Sequence, residues 1–296
     1  MNMPKMHSEE LDIDEKLVHS LIKIQCPQWS TLQLQRIASS GTDNALFRLG
    51  LDLVVRLPRL IGADSNINKE YLWLPQLANF LSIPISVPLF KGHATDFYPS
   101  NWMISQWNFG SNPVFEVENE YGGLAKNLAD FLNQFHQIPL PNGPQSRRGL
   151  ALNVVDDEMR ISIAQIHEEC DIKRITEIWN NALLIPGWSK EAVWVHGDFL
   201  PGNILVKHNR LSAVLDFSDV GMGDPACDCV IAWALMNNKS RIVFKNHLKG
   251  IDENTWIRGR AWALSIAVIM LPYYRRTNPV LVALAKRVID QILSNQ

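Results

Sequence analysis

The sequence predicts an α+β chain of two lobes, a small antiparallel sheet followed by a larger and mostly helical part. Three observations carry that expectation. Short β-type runs separated by polar turns fill the N-terminal third. From Tyr121 onward, apolar residues recur at helical spacing. Within the helical part, one polar-rich stretch from Val193 to Asp228 contains two further β-type runs. A length of 296 residues suffices for two lobes, and a hydrophobic share of 47% supplies a core.

In chain order, Leu11, Ile13, Leu17, Leu21 and Ile24 fall at near-helical spacing, so an amphipathic helix over 11–26 opens the fold. LQLQRIA, ALFRLG and LDLVVRLP then read as strands joined by polar turns. Arg56 lies inside VVRLP, where strand alternation puts Val55 and Leu57 on the opposite face. A cation facing a cleft needs an anionic partner. Glu70, in the helical stretch NKEYLWL, is the candidate; the alternative is an edge-strand arginine facing water. The Pro-punctuated segment LSIPISVPLFKG leads to the strand WMISQW, ended by Phe109-Gly110. The lobe boundary falls near Asn108, dividing the chain into 1–107 and 108–296.

The second lobe opens with GGLAKNLADFLNQFHQI, which puts Leu124, Leu128, Phe131, Leu132 and Phe135 on one helix face. His136, at its end, reads as a packed or capping residue. PLPNGPQSRRG is a loop of turn formers. Acids follow at Asp156, Asp157 and Glu158, at Glu168, Glu169 and Asp171, and at Glu177; on helices such residues usually form a solvated face. Asp224-Pro225 is a helix opening, with Asp at the N-cap and Pro at the first helical position. Asp228, one turn on, is placed to brace the preceding loop through its backbone. Helices over Trp256 to Met270 and Pro279 to Leu293 complete the lobe.

Within the polar stretch, Ile204 to Val206 and Leu211 to Phe217 read as strands around the turn His208-Asn209-Arg210, an antiparallel hairpin. A fold-back centred near Asn209 sets Asn203 across from Asp216, with Asp198 on the loop leading in. These hard oxygen donors suit Mg²⁺. Any one of them alone would be an ordinary turn former. His196-x-Asp198-x₄-Asn203 followed by Asp216-Phe217, however, has the order and spacing of a kinase catalytic loop and its metal-binding Asp-Phe.

HGDFLPGNILV…LSAVLDFSDVGMGDPACD also resembles the signature of the aminoglycoside phosphotransferase family, antibiotic kinases of protein-kinase-like fold. Its Asp-x₄-Gly-x-Gly-Asp-Pro-x-x-Asp pattern is spelled by Asp216, Gly221, Gly223, Asp224, Pro225 and Asp228. The resemblance extends loosely over nearly the whole chain. It implies a protein-kinase-like two-lobe fold, with 1–107 as the nucleotide-binding lobe and 108–296 as the catalytic and substrate-binding lobe. It further implies transfer of the γ-phosphate of ATP or GTP to a hydroxyl of an aminoglycoside-like or other small acceptor. Asp198 becomes the catalytic base, Asn203 and Asp216 the Mg²⁺ ligands, and His196 a scaffold residue beneath the turn. Arg56, fixed by Glu70, takes the place of the kinase lysine on the α- and β-phosphates, a departure that the forked guanidinium makes workable. A phosphate-covering loop falls at Ser39 to Ala45, with Ser40, Gly41, Thr42 and Asn44 as donors, although a single glycine by itself reads as a hairpin loop. Gln106, Trp107 and Asn108 fall in the inter-lobe hinge that binds adenine through its backbone. Trp102 and Trp107 could wall the nucleotide pocket, with core packing the competing role. Asp156, Asp157 and Glu158 are the candidates for holding a cationic acceptor.

Other function classes are excluded or left as rivals. A net charge of −2 shows no basic stripe for nucleic acid. The N-terminus lacks the apolar core of a secretory signal. The longest apolar run, Ala261 to Pro272, is too short to span a bilayer, so a cytoplasmic protein is expected, of undetermined oligomeric state. Cys26, Cys170, Cys227 and Cys229 show no zinc spacing and read as free thiols. The remaining readings are a metabolite kinase acting on choline, homoserine or a thioribose, a macrolide kinase, a non-catalytic nucleotide-binding protein, and a metal-dependent hydrolase. The intact Asp198, Asn203 and Asp216 set opposes the non-catalytic reading, and the shortage of histidine ligands opposes the hydrolase.

Overall fold

Strand alternation builds the first lobe, and a computed structural model describes it within residues 10–37, 43–62, 65–113 and 122–294. Five antiparallel strands lie in the order β1-β2-β3-β5-β4: β1 (Leu34–Arg36), β2 (Asn44–Leu49), β3 (Leu53–Pro58), β4 (Pro88–Gly92) and β5 (Trp102–Gln106). Ala45, Phe47 and Leu49 of β2 alternate inward and meet Val55 and Leu57 of β3, Trp102 and Ile104 of β5, and Val18, Leu21 and Ile22 of α1 (Glu15–Gln25). The helix starts later than Leu11 because the Asp14 carboxylate accepts from the Leu17 amide at 2.8 Å and caps it. Arg56 sits on a central strand between β2 and β5, so the edge-strand alternative is set aside. Gly92 is required by the core: a side chain there would meet the Trp102 ring at 2.0 Å.

The larger lobe is helical. α2 (Ser65–Leu77) places Leu74 and Leu77 in the core of this lobe and contacts β4 of the sheet. α3 (Gly122–Phe135) buries Leu124, Leu128, Phe131, Leu132 and Phe135, as its periodicity predicts. α4 (Asp156–Gln165), α5 (Ile172–Leu183), the short α6 (Ile231–Ala234), α7 (Asn238–His247), α8 (Glu253–Tyr274) and α9 (Pro279–Ser294) follow. α8 carries the apolar run and packs against α9; among the described residues no helix is long and apolar enough to cross a membrane. Cys26, Cys227 and Cys229 are buried free thiols, and burial pushes Cys26 up to about 11, leaving little thiolate.

Two small ladders carry the polar stretch. β7 (Ile204–Lys207) and β8 (Arg210–Val214) form the hairpin, and β6 (Val193–Val195) pairs with β9 (Gly221–Gly223). The hairpin register differs from the expected one. The turn is the two-residue His208-Asn209, with φ of 51° and 57°, and the register shifts between Leu205 and Val206. Ile204 therefore faces Val214, and the Leu215 amide donates to the Asn203 carbonyl at 2.8 Å. Asn203 thus lies across from Leu215, and Asp216 comes one residue beyond, outside the strand. The segment after β5 is tied to this hairpin: Ser111 and Val206 exchange backbone hydrogen bonds of 2.9 and 2.8 Å.

Candidate active site

The cleft between the sheet and the helical lobe gathers three ionic assemblies. In the first, Arg56 of β3 donates from Nη1 and Nη2 to the two Glu70 oxygens of α2, at 2.6 and 2.9 Å. Glu70 is fully buried. With its amide oriented oxygen-first, Asn44 lies 3.1 Å from Arg56 Nε and 3.3 Å from Nη2. Arg56 Nη2 also reaches Asp216 Oδ1 at 3.2 Å. Burial by itself would lower the Arg56 pKa, but Glu70 and Asp216 offset this and hold it above its ordinary value, so the guanidinium stays charged. The expected Arg56–Glu70 pair is therefore present, and it extends to Asp216.

The second assembly is the loop from β6 to β7. His196 is fully buried, its ring 4.5 Å from that of Phe217 and 5.6 Å from that of Phe199. Its Nδ1 accepts from the Asp198 amide (3.2 Å), and its Nε2 donates to the Leu215 carbonyl (2.9 Å), because a backbone amide only donates and a carbonyl only accepts. This is the expected scaffold position. Asp228 braces the loop from below through its backbone: Oδ2 accepts from the His196 amide at 3.0 Å and Oδ1 from the Gly197 amide at 2.9 Å. His136 Nε2 donates to the same Oδ2 at 3.0 Å, which is the packing role read for it. Hydrogen bonds to a charged acceptor contribute about 1.5–3 kcal/mol each. Asn203 Nδ2 donates to Asp198 Oδ2 (2.7 Å) and to the Asp198 carbonyl (2.9 Å).

The third assembly follows Asp216, whose φ of 52° is left-handed and turns the chain sharply after the hairpin. Burial by itself would raise the Asp216 carboxyl, but Arg56 and the neighbouring Ser218 donors outweigh it and hold the group below the usual carboxylate range. Asp216 keeps 34% of its side chain exposed, open to a ligand. Lys69 of α2 donates to the Ser218 carbonyl. Asp219 then grips the loop between α3 and α4, accepting from the amides of Arg147 (3.2 Å) and Arg148 (3.1 Å) and from the Ser146 hydroxyl (3.3 Å). Gly197, with φ of +79°, passes so close that a side chain there would meet Asp219 Oδ2 at 2.6 Å. Arg148 Nη1 donates to Asp198 Oδ1 and to the Gly197 carbonyl, the latter at 3.1 Å.

Several expected residues have other neighbours. Trp102 is fully buried in the core of the sheet lobe, the packing role. The Trp107 amide donates to the Asp52 carbonyl at 2.7 Å, because pairing of β3 with the chain after β5 runs one residue past Gln106. That amide is committed to the sheet, and the Trp107 ring is covered by the Arg48 guanidinium at 3.9 Å. Gln106 is exposed. Ser40, Gly41 and Thr42 lie outside the described residues. Asp156 accepts from Trp179 Nε1 at 2.7 Å and pairs with Arg160, so it helps join α4 to α5. Glu158 is exposed and lies 3.5 Å from Arg147, and Asp157 is exposed. Asp224 caps Ala226 as expected and also takes Arg258 Nε at 2.7 Å. Arg148, Asp219 and Lys69 are site residues that the sequence did not single out.

The donor set fits a hard divalent cation. Asn203 Nδ2 is turned onto Asp198, so its Oδ1 faces away, and Asp216 offers a carboxylate that stays ionised.

A model of the family described as "Phosphotransferase enzyme family" matches residues 34–262. An aminoglycoside 3'-phosphotransferase of Escherichia coli is 24% identical over 194 residues, which are 62% of this chain and 66% of that protein. The chain thus spans just under two thirds of the length of that relative. The GDP complex of an aminoglycoside 2'-phosphotransferase-IIIa superposes with a TM-score of 0.75 at 17% identity, covering 96% of this chain and all of the other. A macrolide 2'-phosphotransferase of Brachybacterium faecium superposes at 0.61 with 18% identity, over 96% and 99% of the two chains.

Proposed function

The chain belongs to the phosphotransferase enzyme family, and from that premise we propose that it transfers the γ-phosphate of ATP or GTP to a hydroxyl of a small molecule, aminoglycoside-like or of another class. Residues 1–107 form the nucleotide lobe and 108–296 the catalytic and acceptor lobe. The observation that carries the reading is the base of the hairpin, where Asn203 meets Asp198 at 2.7 Å, the Leu215 amide meets the Asn203 carbonyl at 2.8 Å, and Asp216 next to it meets Arg56 at 3.2 Å. Asp198 receives the proton of the acceptor hydroxyl as that oxygen attacks. Asn203 and Asp216 would hold Mg²⁺, which when bound would spread charge over the β- and γ-phosphates. Arg56, held in its rotamer by Glu70, binds the α/β end of the donor. The acceleration comes mainly from positioning and fixed charge. GDP bound to a structural neighbour and the aminoglycoside and macrolide names of relatives support the donor and acceptor classes.

The test is a panel of hydroxylated acceptors (aminoglycosides, macrolides, choline, homoserine, a thioribose) with labelled γ-phosphate, read by mass spectrometry. Label should appear on a hydroxyl of at least one acceptor. Asp198→Ala should cut that transfer about 10²–10⁴-fold while leaving nucleotide affinity intact. Transfer at the wild-type rate by Asp198→Ala would exclude the base assignment.

A further inference from the structure

Resting on that reading, the contacts around Asp198 point to a device that keeps water away from it. Both carboxylate oxygens already accept hydrogen bonds: Oδ2 from Asn203 at 2.7 Å and Oδ1 from Arg148. An acceptor hydroxyl has to donate to this same carboxylate. Each carboxylate oxygen has two lone pairs, so Arg148 takes one of the sites on Oδ1 to which an attacking O–H could donate. It comes from the loop between α3 and α4, 50 residues away in sequence, and its backbone is set by Asp219 at 3.1 Å. Asp219 lies three residues after Asp216, so the metal-side turn also anchors the arginine. Asp198 and Asp219 beside it more than offset burial, which alone would lower the Arg148 pKa, and keep the guanidinium charged.

We propose that Arg148 is a positioning residue that latches Asp198 Oδ1 and thereby suppresses hydrolysis of the bound nucleotide by water, the acceptor hydroxyl displacing it. Kinases face this competition because water can take the acceptor's place. In the suppressed reaction, the water oxygen bonds to the γ-phosphorus and the bond from that phosphorus to the bridging oxygen breaks. The electron pair stays on the nucleoside diphosphate, and the water proton passes to Asp198. The products are nucleoside diphosphate and inorganic phosphate. Arg148 is suited to reversible release because its side chain is 31% exposed, against 11% for Arg56. Leaving a solvated site costs a guanidinium little.

The experiment measures phosphate release from Mg·ATP and Mg·GTP by the full chain without acceptor, in wild type, Arg148→Ala, Arg148→Gln, Asp198→Asn and the double variant Arg148→Ala/Asp198→Asn. Hydrolysis should rise about tenfold or more in both Arg148 variants, and the double variant should fall back to the Asp198→Asn rate. A merely structural role for Arg148 would not raise the rate or make the rise depend on Asp198. Arg148 variants that melt normally and hydrolyse at or below the wild-type rate would overturn the latch, and loss of acceptor-dependent transfer in Asp198→Asn would leave the kinase reading standing. Loss of folding in both variants would make Arg148 a structural residue and overturn it equally. If the double variant keeps the raised rate of Arg148→Ala, the added hydrolysis does not pass through Asp198, and the latch fails.

Discussion

Arg56–Glu70, on the side we propose for the nucleotide, and Arg148–Asp198, on the side we propose for the acceptor, are both arginine–carboxylate contacts, but the chain builds them differently. The first joins residues 14 apart, on a central strand and the helix that follows, and Glu70 is wholly buried. The second joins residues 50 apart, from two loops, with 31% and 24% of the side chains exposed. A buried, forked pair between regular elements holds one geometry, which suits the phosphate grip proposed for Arg56. A pair on loops in contact with solvent can exchange partners, which suits the exchange of donors proposed for Asp198.

Stability should separate the two pairs most sharply. Glu70→Ala removes the forked partner of a buried guanidinium, leaving it Asp216 on one side, and is expected to cost about 3–5 kcal/mol of unfolding free energy in urea. Arg148→Ala, at a part-exposed site, should cost about 1 kcal/mol or less. Equal losses would erase the distinction between fixed and exchangeable contacts. A smaller effect sharpens the nucleotide side alone. Asp216 has a depressed folded pKa, so its contribution to stability is present above its unfolded value, about pH 4, and is lost as pH falls through the lower folded one. The stability gap between wild type and Asp216→Asn should therefore be full at neutral pH and shrink in acid. A gap that widens on acidification would contradict the depressed pKa.

The same contrast explains what could be read from the sequence. Arg56 was legible because a cation inside an apolar strand demands a partner, and the next helix offers one acid in place, Glu70. Asp228, His196 and the α3 face were legible because motif spacing or helical period fixes them locally. Arg148 sits in a loop of turn formers, PLPNGPQSRRG, where nothing local distinguishes it from a solvated arginine; its role comes from a contact made only in the folded chain. Asp219 and Arg258 were hidden for the same reason, being 71 and 34 residues from the groups they hold. β9 is Gly-Met-Gly, which has no β signature and becomes a strand because β6 lies alongside and Gln145 bridges to Met222. The hairpin register slipped by one because a two-residue turn and an irregularity at Leu205–Val206 leave no period to read.

The most direct measurement is calorimetric titration of ATP and GTP, each with and without Mg²⁺, into wild type and Asp216→Ala. Wild type should bind nucleotide more tightly when Mg²⁺ is present, and Asp216→Ala should lose that gain while keeping its fold. An unchanged Mg²⁺-dependent gain in Asp216→Ala would contradict the assignment of residues 198, 203 and 216 to one magnesium-nucleotide site.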